Sequence, residues 1–381
     1  MSAPKRVINP CISEAGSILR AVPIGLISKG IFHLMDLPVK GYTVGRPELL
    51  EAPIRWKGER ILLKLPPALL RHSLELSTFV REVTGKEVII SARPSFGACD
   101  ISPGECSLEG LAGVLDLGHA PMPTVYGRRG CRALSVPFEA VVDKGVLEKV
   151  LESIPLKSPA TVGLLTTAQH LSLLKVAEKV LGRRGFRVLV GRGGKRLFFP
   201  GQVLGCDLSA ARAVRDDVDL FLYIGTGQFH PRGVALSTGK RVLTLDPLTG
   251  LWGEVEEGER ERFIRRRYGA MMMAKELIEA GEPVGIYMSN LLGQRREALA
   301  YEIRDRLLER GIEAFLFQSE LLTPGQVRDL SLKVLVNTAC PRIAVDDYPL
   351  YSEVAAILLT PLEMIAILEE KPPEDYVLDE F

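Results

Sequence analysis

Three stretches of this 381-residue chain share one plan, in which an apolar strand, a helix and a second apolar strand lead to a loop that carries a cysteine. They span residues 60–100, 161–207 and 283–342. Strands that alternate with helices at this spacing are typical of parallel α/β units, because a parallel pair of strands needs a crossover connection. We therefore predict an α/β fold with three pseudo-equivalent domains, each built on a parallel sheet.

The apolar spacing also predicts the elements of each unit. In the first unit, strand Arg60–Leu65 precedes a helix that begins at Pro66 and Pro67 and ends at Gly85, and Val88–Ile90 forms the next strand. In the second unit the pattern predicts strand Thr161–Leu165, helix Ala168–Leu181 and strand Phe186–Val190. In the third unit it predicts strand Val284–Met288, helix Arg295–Glu309 and strand Ile312–Phe317. In the third unit an extra helix and strand, Lys333–Val336, precede the cysteine.

Breaks in the pattern near Ser153–Thr161 and Gly281–Pro283 suggest the domain boundaries. We predict a first domain over residues 51–157, a second over 158–281 and a third over 282–381. Residues 1–50 match no part of the repeat and are assigned as an extension of unknown role.

Charge and hydropathy argue against two classes of protein. The 48 Lys and Arg residues balance 47 Asp and Glu residues, so the chain lacks the basic excess of a nucleic-acid binder. No apolar run approaches the roughly 18 residues that span a bilayer, so we expect no membrane partner. Glu14, Arg20 and Pro23 interrupt the apolar start, which argues against a signal peptide, and the cytoplasm is the expected location.

Cys99, Cys206 and Cys340 are the cysteines that end the three units. Ligands of open α/β sheets bind beyond the carboxyl ends of the strands, so three domains around a centre would bring these thiols together. Structural zinc takes four protein ligands, and a [4Fe–4S] cluster is normally held by four cysteines. Three thiolates are therefore compatible with a cluster that keeps one iron open, with another metal, or with three unrelated thiols. Cys11, Cys106 and Cys131 fall outside the repeat and are predicted to be structural.

An ordered set of short sequence motifs resembles one family over most of the chain, from about residue 55 to about residue 368. The motifs are FGACD (96–100), DLGHAP (116–121), GQVLGCD (201–207), GQFHP (227–231), NTACPRIAVDD (337–347) and LLTPLEM (358–364). Together they resemble the archaeal diphthamide synthases, 2-(3-amino-3-carboxypropyl)histidine synthases, which are an atypical group of radical S-adenosylmethionine enzymes. The chain departs from the family pattern at Phe96, where Tyr is usual, and in the ending DLGHAPM, although Gly118 and His119 are kept.

The resemblance implies a function and its cofactors. Cys99, Cys206 and Cys340 would hold a central [4Fe–4S] cluster, and S-adenosylmethionine would chelate the fourth iron. The reduced cluster would release a 3-amino-3-carboxypropyl radical that adds to C2 of a histidine of translation elongation factor 2, with methylthioadenosine as by-product. The common radical motif CxxxCxxC does not occur in the sequence. The family also implies a homodimer and a reducing electron donor.

Residues near the predicted strand ends are candidates for binding S-adenosylmethionine. They are Gly225, Thr226 and Gly227 directly after a strand, His230 at the end of the same motif region, and Arg342 after the third cysteine. Arg342 could pair with the carboxylate of the substrate, although a salt bridge to Asp346 or Asp347 is an equal alternative. The sequence assigns no catalytic acid or base.

Other features have simpler interpretations. His119 and His230 end equivalent strands and could be structural, and the glycine-rich stretch 191–196 lacks the spacing of a phosphate loop. The arginine run 265–267 is predicted to be a solvated helix face. A lyase resembling quinolinate synthase and a non-catalytic accessory subunit that bears a cluster are the alternative functions.

Overall fold

The computed structural model describes residues 37, 39–125, 132–156 and 158–381. Most of the predicted extension, together with Cys11 and Cys131, lies outside the described residues. The chain divides into two compact units, Met1–Val141 and Val142–Phe381.

The first unit contains one parallel sheet and a short antiparallel ribbon. Its strands are β1 (Tyr42–Val44), β2 (Arg60–Lys64), β3 (Glu87–Ile90), β4 (Leu111–Leu117), β5 (Ala133–Val136) and β6 (Phe138–Ala140), and its helices are α1 (Glu51–Ile54) and α2 (Ser73–Thr84). The sheet has the order β3–β2–β4–β5 with every pair parallel, and β1 pairs antiparallel with β6. Helix α2 ends as predicted at Gly85, whose φ of 68° is the left-handed conformation that glycine adopts most easily.

The second unit contains two sheets. Its strands are β7 (Thr161–Thr166), β8 (Arg187–Leu189), β9 (Leu220–Ile224), β10 (Arg241–Leu245), β11 (Trp252–Glu254), β12 (Val284–Ser289), β13 (Ala314–Ser319), β14 (Val334–Asn337) and β15 (Ile357–Leu359). Its helices are α3 (Lys144–Ser153), α4 (Leu171–Arg183), α5 (Ser209–Arg212), α6 (Phe229–Thr238), α7 (Glu259–Glu279), α8 (Glu297–Leu308), α9 (Pro324–Leu330), α10 (Pro341–Val345), α11 (Tyr348–Ser352) and α12 (Pro361–Leu368).

The two sheets of this unit have the orders β8–β7–β9–β10–β11 and β13–β12–β14–β15. All neighbouring strands are parallel except β10 and β11. Central strands such as β9, with the sequence LFLYI, are buried along their whole length. Parallel strands covered on both faces have such continuous apolar sequences, which is why the sequence pattern located them.

The repeat predicted from the sequence is present in the topology. In each of the three main sheets the second strand lies at one edge, followed by the first, third and fourth strands. The α/β prediction is therefore confirmed, while an arrangement of three domains around a central site stays a prediction. Within the described residues, every helix is too short or too polar to cross a bilayer.

The third cysteine departs from strict equivalence with the other two. Cys99 and Cys206 follow the second strands β3 and β8, whereas Cys340 follows β14, the third strand of its sheet. The expectation that all three occupy the same place in the repeat was thus wrong for Cys340. Its topological counterparts in the other sheets are the loops that follow β4 and β9, which lead to His119 and His230.

Helix α3 packs in the core of the second unit. Leu147 and Leu151 of this helix share a buried cluster with Val162 and Leu164 of β7. The compact units therefore separate after Val141, earlier than the predicted boundary at residue 157. The three-domain division itself stays a prediction.

Candidate metal centre

The loop that carries Cys206 is held by its own hydrogen bonds. Val203 donates its N–H to the carbonyl of Thr166 at the end of β7, and Gln202 Oε1 accepts two backbone N–H groups of the same loop. A Cβ atom added at Gly205 would lie 2.4 Å from the ring of Phe229 and 3.3 Å from Cδ of Arg342. Glycine therefore permits a close approach of these two side chains to the residue before Cys206.

The loop that carries Cys340 is fixed by the residues of its motif. Asn337 Nδ2 donates to the carbonyl of Cys340 at 2.7 Å, and Asn337 Oδ1 accepts the N–H of Ala339. The hydroxyl of Thr338 donates to the carbonyl of Tyr287 in β12 at 2.7 Å. These bonds set the direction in which the chain leaves β14, so the position of Cys340 follows from the sheet.

Arg342 is common to the surroundings of both cysteines. Its guanidinium lies 3.8 Å from the centroid of the Phe229 ring and forms an ion pair with Asp346. Burial lowers the pKa of Arg342, and the charges of Asp346, Cys340 and Cys206 oppose that shift. Both thiols are therefore within electrostatic reach of one buried guanidinium, and the salt bridge considered in the sequence analysis is formed.

A second arginine, which the sequence analysis did not single out, contacts Cys206 directly. Arg196 is buried, places Nη2 3.8 Å from Cys206 Sγ and donates from Nη1 to the carbonyl of Gly293. Burial raises the pKa of the Cys206 thiol, while the charge and hydrogen bond of Arg196 lower it. The stretch 191–196 thus supplies a cation for a sulfur atom, and nothing in the sequence pattern pairs it with Cys206.

Cys99 lies in the first unit, in the predicted loop after β3. Arg93 forms an ion pair with the buried Asp100, and Asp100 accepts the N–H of Phe96 at 3.2 Å. The ring of Phe96 is 65% exposed, which makes it a large apolar group presented to solvent beside the cysteine. Asp100 thus ties the Cys99 loop both to Arg93 and to the backbone of Phe96.

The disulfide state separates the candidate ligands from Cys106. Cys99, Cys206 and Cys340 keep reduced thiols, whereas Cys106 is disulfide-bonded. A disulfide sulfur is not a metal ligand, because the ligand is the thiolate. The structural role predicted for Cys106 is therefore a cross-link rather than a buried thiol.

The two histidines have opposite electrostatic environments. His119 Nδ1 lies 3.0 Å from Asp116 Oδ1, and although burial disfavours its charged form, the neighbouring carboxylate raises its pKa. His230 packs against Tyr223 and Phe229, and burial together with the charge of Arg342 lowers its pKa to about 4. His230 is consequently neutral at pH 7, with a ring nitrogen able to accept a hydrogen bond.

Gly225, Thr226 and Gly227 form the loop between β9 and helix α6, in whose first turn His230 lies. Thr226 and Gly227 are exposed, and Gly227 has a φ of 72°. This loop lies at the carboxyl end of a central parallel strand, the usual place for a ligand in such folds. Of the predicted site residues, His230 and Arg342 are electrostatically coupled, and Arg342 also senses Cys206 and Cys340.

Cys206, Cys340 and the arginines near them have the chemistry of an iron–sulfur site. The second unit, however, supplies only these two cysteine thiolates. Thiolates suit iron–sulfur clusters, and adjacent guanidinium groups offset their negative charge. Across the ranges that the structure describes, no group of three or more His, Cys, Asp or Glu side chains is arranged to hold a metal ion. A cluster bound to Cys206 and Cys340 therefore needs a further ligand.

Comparison with known proteins decides the family. The model of the diphthamide synthesis protein family matches residues 65–377. The chain belongs to this family. The 2-(3-amino-3-carboxypropyl)histidine synthase of Pyrococcus horikoshii is 33% identical over 347 residues, which cover 89% of this chain and 94% of that protein. The synthase of Methanocaldococcus jannaschii is 26% identical over 70% of this chain and 71% of its own length.

Solved structures of the family agree with the fold. Dph2 from Pyrococcus horikoshii, crystallised with a 4Fe-4S cluster, has a TM-score of 0.75 and 32% sequence identity. The match covers 88% of this chain and 93% of the Dph2 chain. Family membership thus explains why the short motifs from FGACD to LLTPLEM occur in this order along the chain.

Proposed function

We propose that this chain is a 2-(3-amino-3-carboxypropyl)histidine synthase that carries out the first step of diphthamide biosynthesis. Its relatives are named 2-(3-amino-3-carboxypropyl)histidine synthases, enzymes that transfer this group to histidine, and membership of the family makes this chain a transferase of the same class. Its substrates would be S-adenosylmethionine and a histidine of translation elongation factor 2, with the transferred group joined to C2 of the imidazole. The proposed protein substrate is a translation factor, so we expect the enzyme to act in the cytoplasm.

The observation that carries the proposal is the closeness of the two cysteine loops: Arg342, two residues after Cys340, packs against Gly205, the residue before Cys206. In a family whose Dph2 member was crystallised with a 4Fe-4S cluster, these reduced thiols are the natural ligands in the second unit. Cys99, reduced and placed after the corresponding strand of the first sheet, is proposed as the third ligand. S-adenosylmethionine would occupy the iron that three cysteines leave open.

When bound, a reduced [4Fe–4S] cluster supplies the electron that breaks the bond between sulfur and Cγ of S-adenosylmethionine, which yields methylthioadenosine and a 3-amino-3-carboxypropyl radical. The residues of this chain bind and orient the reactants. Arg196 and Arg342 place positive charge beside the thiolates, and the neutral His230 offers an acceptor. Gly225, Thr226 and Gly227 are proposed to approach S-adenosylmethionine closely from the end of β9.

Anaerobic purification with iron and sulfide analysis and electron paramagnetic resonance tests the cluster. We expect wild-type protein to show a [4Fe–4S] signal after reduction, and Ala at Cys99, Cys206 or Cys340 to lose or cripple it. Cys106→Ala is the matched control and should keep iron, because Cys106 is cross-linked rather than available. A variant series in which Cys106→Ala lost the cluster while Cys99→Ala kept it would place the first ligand elsewhere.

Product analysis tests the reaction. Reduced protein with S-adenosylmethionine and elongation factor 2 should release methylthioadenosine and modify one histidine. Release of 5′-deoxyadenosine as the main product would contradict the proposed bond cleavage.

The assembly is proposed to be a homodimer supplied with electrons by a separate donor. Analytical ultracentrifugation of the anaerobic protein should therefore give about twice the chain mass of 41.8 kDa. A fully active monomer would contradict this assembly.

A further inference from the structure

The segment Asp379–Phe381 is linked through Arg296 to the loop that carries Cys340. Asp379 is buried and accepts two hydrogen bonds of 2.8 Å from the guanidinium of Arg296. The same guanidinium donates at 2.8 and 2.9 Å to the carbonyls of Thr338 and Ala339, which immediately precede the cysteine. One arginine thus joins the segment to a ligand loop through four hydrogen bonds.

The other end of the segment contacts the loop of Cys206. The backbone N–H of Phe381 donates to the carbonyl of Cys206 at 3.0 Å. The ring of Phe381 has the guanidinium of Arg196 4.0 Å from its centroid and that of Arg296 4.6 Å from it. Arg196 is the residue whose Nη2 lies next to Cys206 Sγ, so the ring also contacts the cation beside the sulfur.

The chemistry of the segment exceeds what packing alone requires. A buried carboxylate is costly unless it is paired and fully hydrogen-bonded, and Asp379 meets that condition only through Arg296. The ring of Phe381 packs against the guanidinium groups of both Arg196 and Arg296. These two positive charges repel each other, so both side chains must be held in place for the ring to contact them. The residues matched by the family model end at 377, so Asp379 and Phe381 lie beyond the matched region, whereas their partners lie within it.

We infer that Asp379 and Phe381 form a clamp that fixes the Cys206 and Cys340 loops relative to each other and holds Arg196 against the Cys206 sulfur. This inference rests on the proposed function, because only in that function are Cys206 and Cys340 cluster ligands whose separation must be fixed. Asp379 and Phe381 are positioning residues, and they act through Arg296, Arg196 and the loop backbones.

Two substitutions and two controls test the clamp. Asp379→Asn removes the charge that pairs with Arg296, and Phe381→Leu keeps apolar volume but removes the ring face. Phe381→Tyr keeps the ring and should behave as wild type. Glu369→Gln is matched to Asp379→Asn, because Glu369 also pairs with an arginine, Arg306, but is exposed and away from both loops.

Hydrogen exchange of the cluster-free full-length protein gives the first measurement. Asp379→Asn and Phe381→Leu should speed exchange about tenfold in the peptides 200–208 and 335–342 together, as expected for the loss of charge-assisted hydrogen bonds. In the cluster-loaded protein the same variants should shift the midpoint potential, because hydrogen bonds to the cluster sulfurs contribute to it and Arg196 would no longer be held beside Cys206. Phe381→Tyr and Glu369→Gln should leave all of these unchanged.

Faster exchange confined to residues 376–381, or spread evenly over the second unit, with an unchanged potential would overturn the clamp and leave a simple packing contact. Failure of the proposed function is a separate result. If reconstituted wild-type protein formed no cluster, that function would be wrong, whereas exchange in the cluster-free protein would still support or overturn the mechanical coupling of the two loops.

Discussion

The charge beside the Cys206 sulfur comes from Arg196, and its loss has a definite sign. A guanidinium that donates to a thiolate stabilises the more negative, reduced state of a bound cluster, and a hydrogen bond to a charged group contributes about 1.5–3 kcal/mol. Arg196→Met should therefore lower the midpoint potential of the cluster, measured by redox titration under argon. Arg192→Met removes an exposed arginine from the same loop and should leave the potential unchanged. An equal shift in both variants would show that the effect is not local to the sulfur.

His119 and Asp116 form the residue pair with the clearest pH dependence. The pKa of His119 is raised in the folded protein, so its interaction with Asp116 contributes stability that is fully present below about pH 6.5, the unfolded value, and is lost as pH rises through the folded pKa. In Asp116→Asn the carboxylate that raises the pKa of His119 is gone. Burial, which disfavours the charged imidazole, should then lower that pKa below about 6.5. Histidine-labelled NMR titration of the full chain measures this value. Asp143→Asn, which removes a helix-capping carboxylate elsewhere, should leave the His119 titration as in wild type.

Helices α7 and α12 are joined by a buried ion pair. Arg267 donates from Nε and Nη2 to both carboxylate oxygens of Glu363, and both side chains are almost fully buried. Glu363 also accepts the N–H of Thr360 and the hydroxyl of Tyr376, so it both caps α12 and pairs with α7. The predicted solvated face at 265–267 was therefore wrong for Arg267 and right for its two exposed neighbours.

Removal of one partner of this pair should strongly destabilise the folded protein. Glu363→Gln leaves the Arg267 guanidinium buried without its counter-charge, and we expect a loss of about 3–5 kcal/mol in the free energy of unfolding. Urea denaturation measures the difference. Glu369→Gln, at the exposed end of the same helix, should leave the free energy of unfolding close to that of wild type. Similar losses in the two variants would mean that the buried pair contributes no more than a surface one.

The elements themselves could be predicted because their causes are local. Buried parallel strands have continuous apolar sequences, helix α2 ends at a glycine, and α12 begins at Pro361 directly after its N-cap Thr360, a local helix-start signal. The burial of Arg267 could not be predicted, because its partner lies 96 residues away and is brought near only by the packing of two helices. The third strand before Cys340 was predicted from its apolar residues, but its place between β12 and β15 was not, because strand order follows from packing rather than from spacing in the sequence.

At the scale of the whole molecule, the sequence yielded the candidate ligands but not their surroundings. The three cysteines followed from the repeat and the family resemblance. Arg196, Arg296 and Phe381 did not, because each acts on a cysteine loop through contacts between segments that are distant in sequence. Arg296 and Asp379, for example, are 83 residues apart. Only a folded second unit shows that Arg196 lies beside the Cys206 sulfur and that Arg296 holds the backbone before Cys340.

The proposed ligand set draws on both compact units, and that has a thermodynamic consequence. A group that binds only the folded protein stabilises it by mass action, so loading of the proposed cluster should raise the free energy of unfolding of both units. Pulse proteolysis read out by mass spectrometry follows the two units separately. Cys99→Ala should abolish the gain in both units, although Cys99 belongs to only one of them, because a site with two protein thiolates retains the cluster poorly.

Cys106→Ala provides the comparison for that experiment. Loss of its disulfide should lower the baseline stability by about 2–4 kcal/mol. The gain on cluster loading should nevertheless equal that of wild type, since the gain is a difference between loaded and cluster-free forms of the same variant. A cluster-dependent gain in the second unit that survived Cys99→Ala would show that Cys206 and Cys340 recruit their further ligand from somewhere other than Cys99.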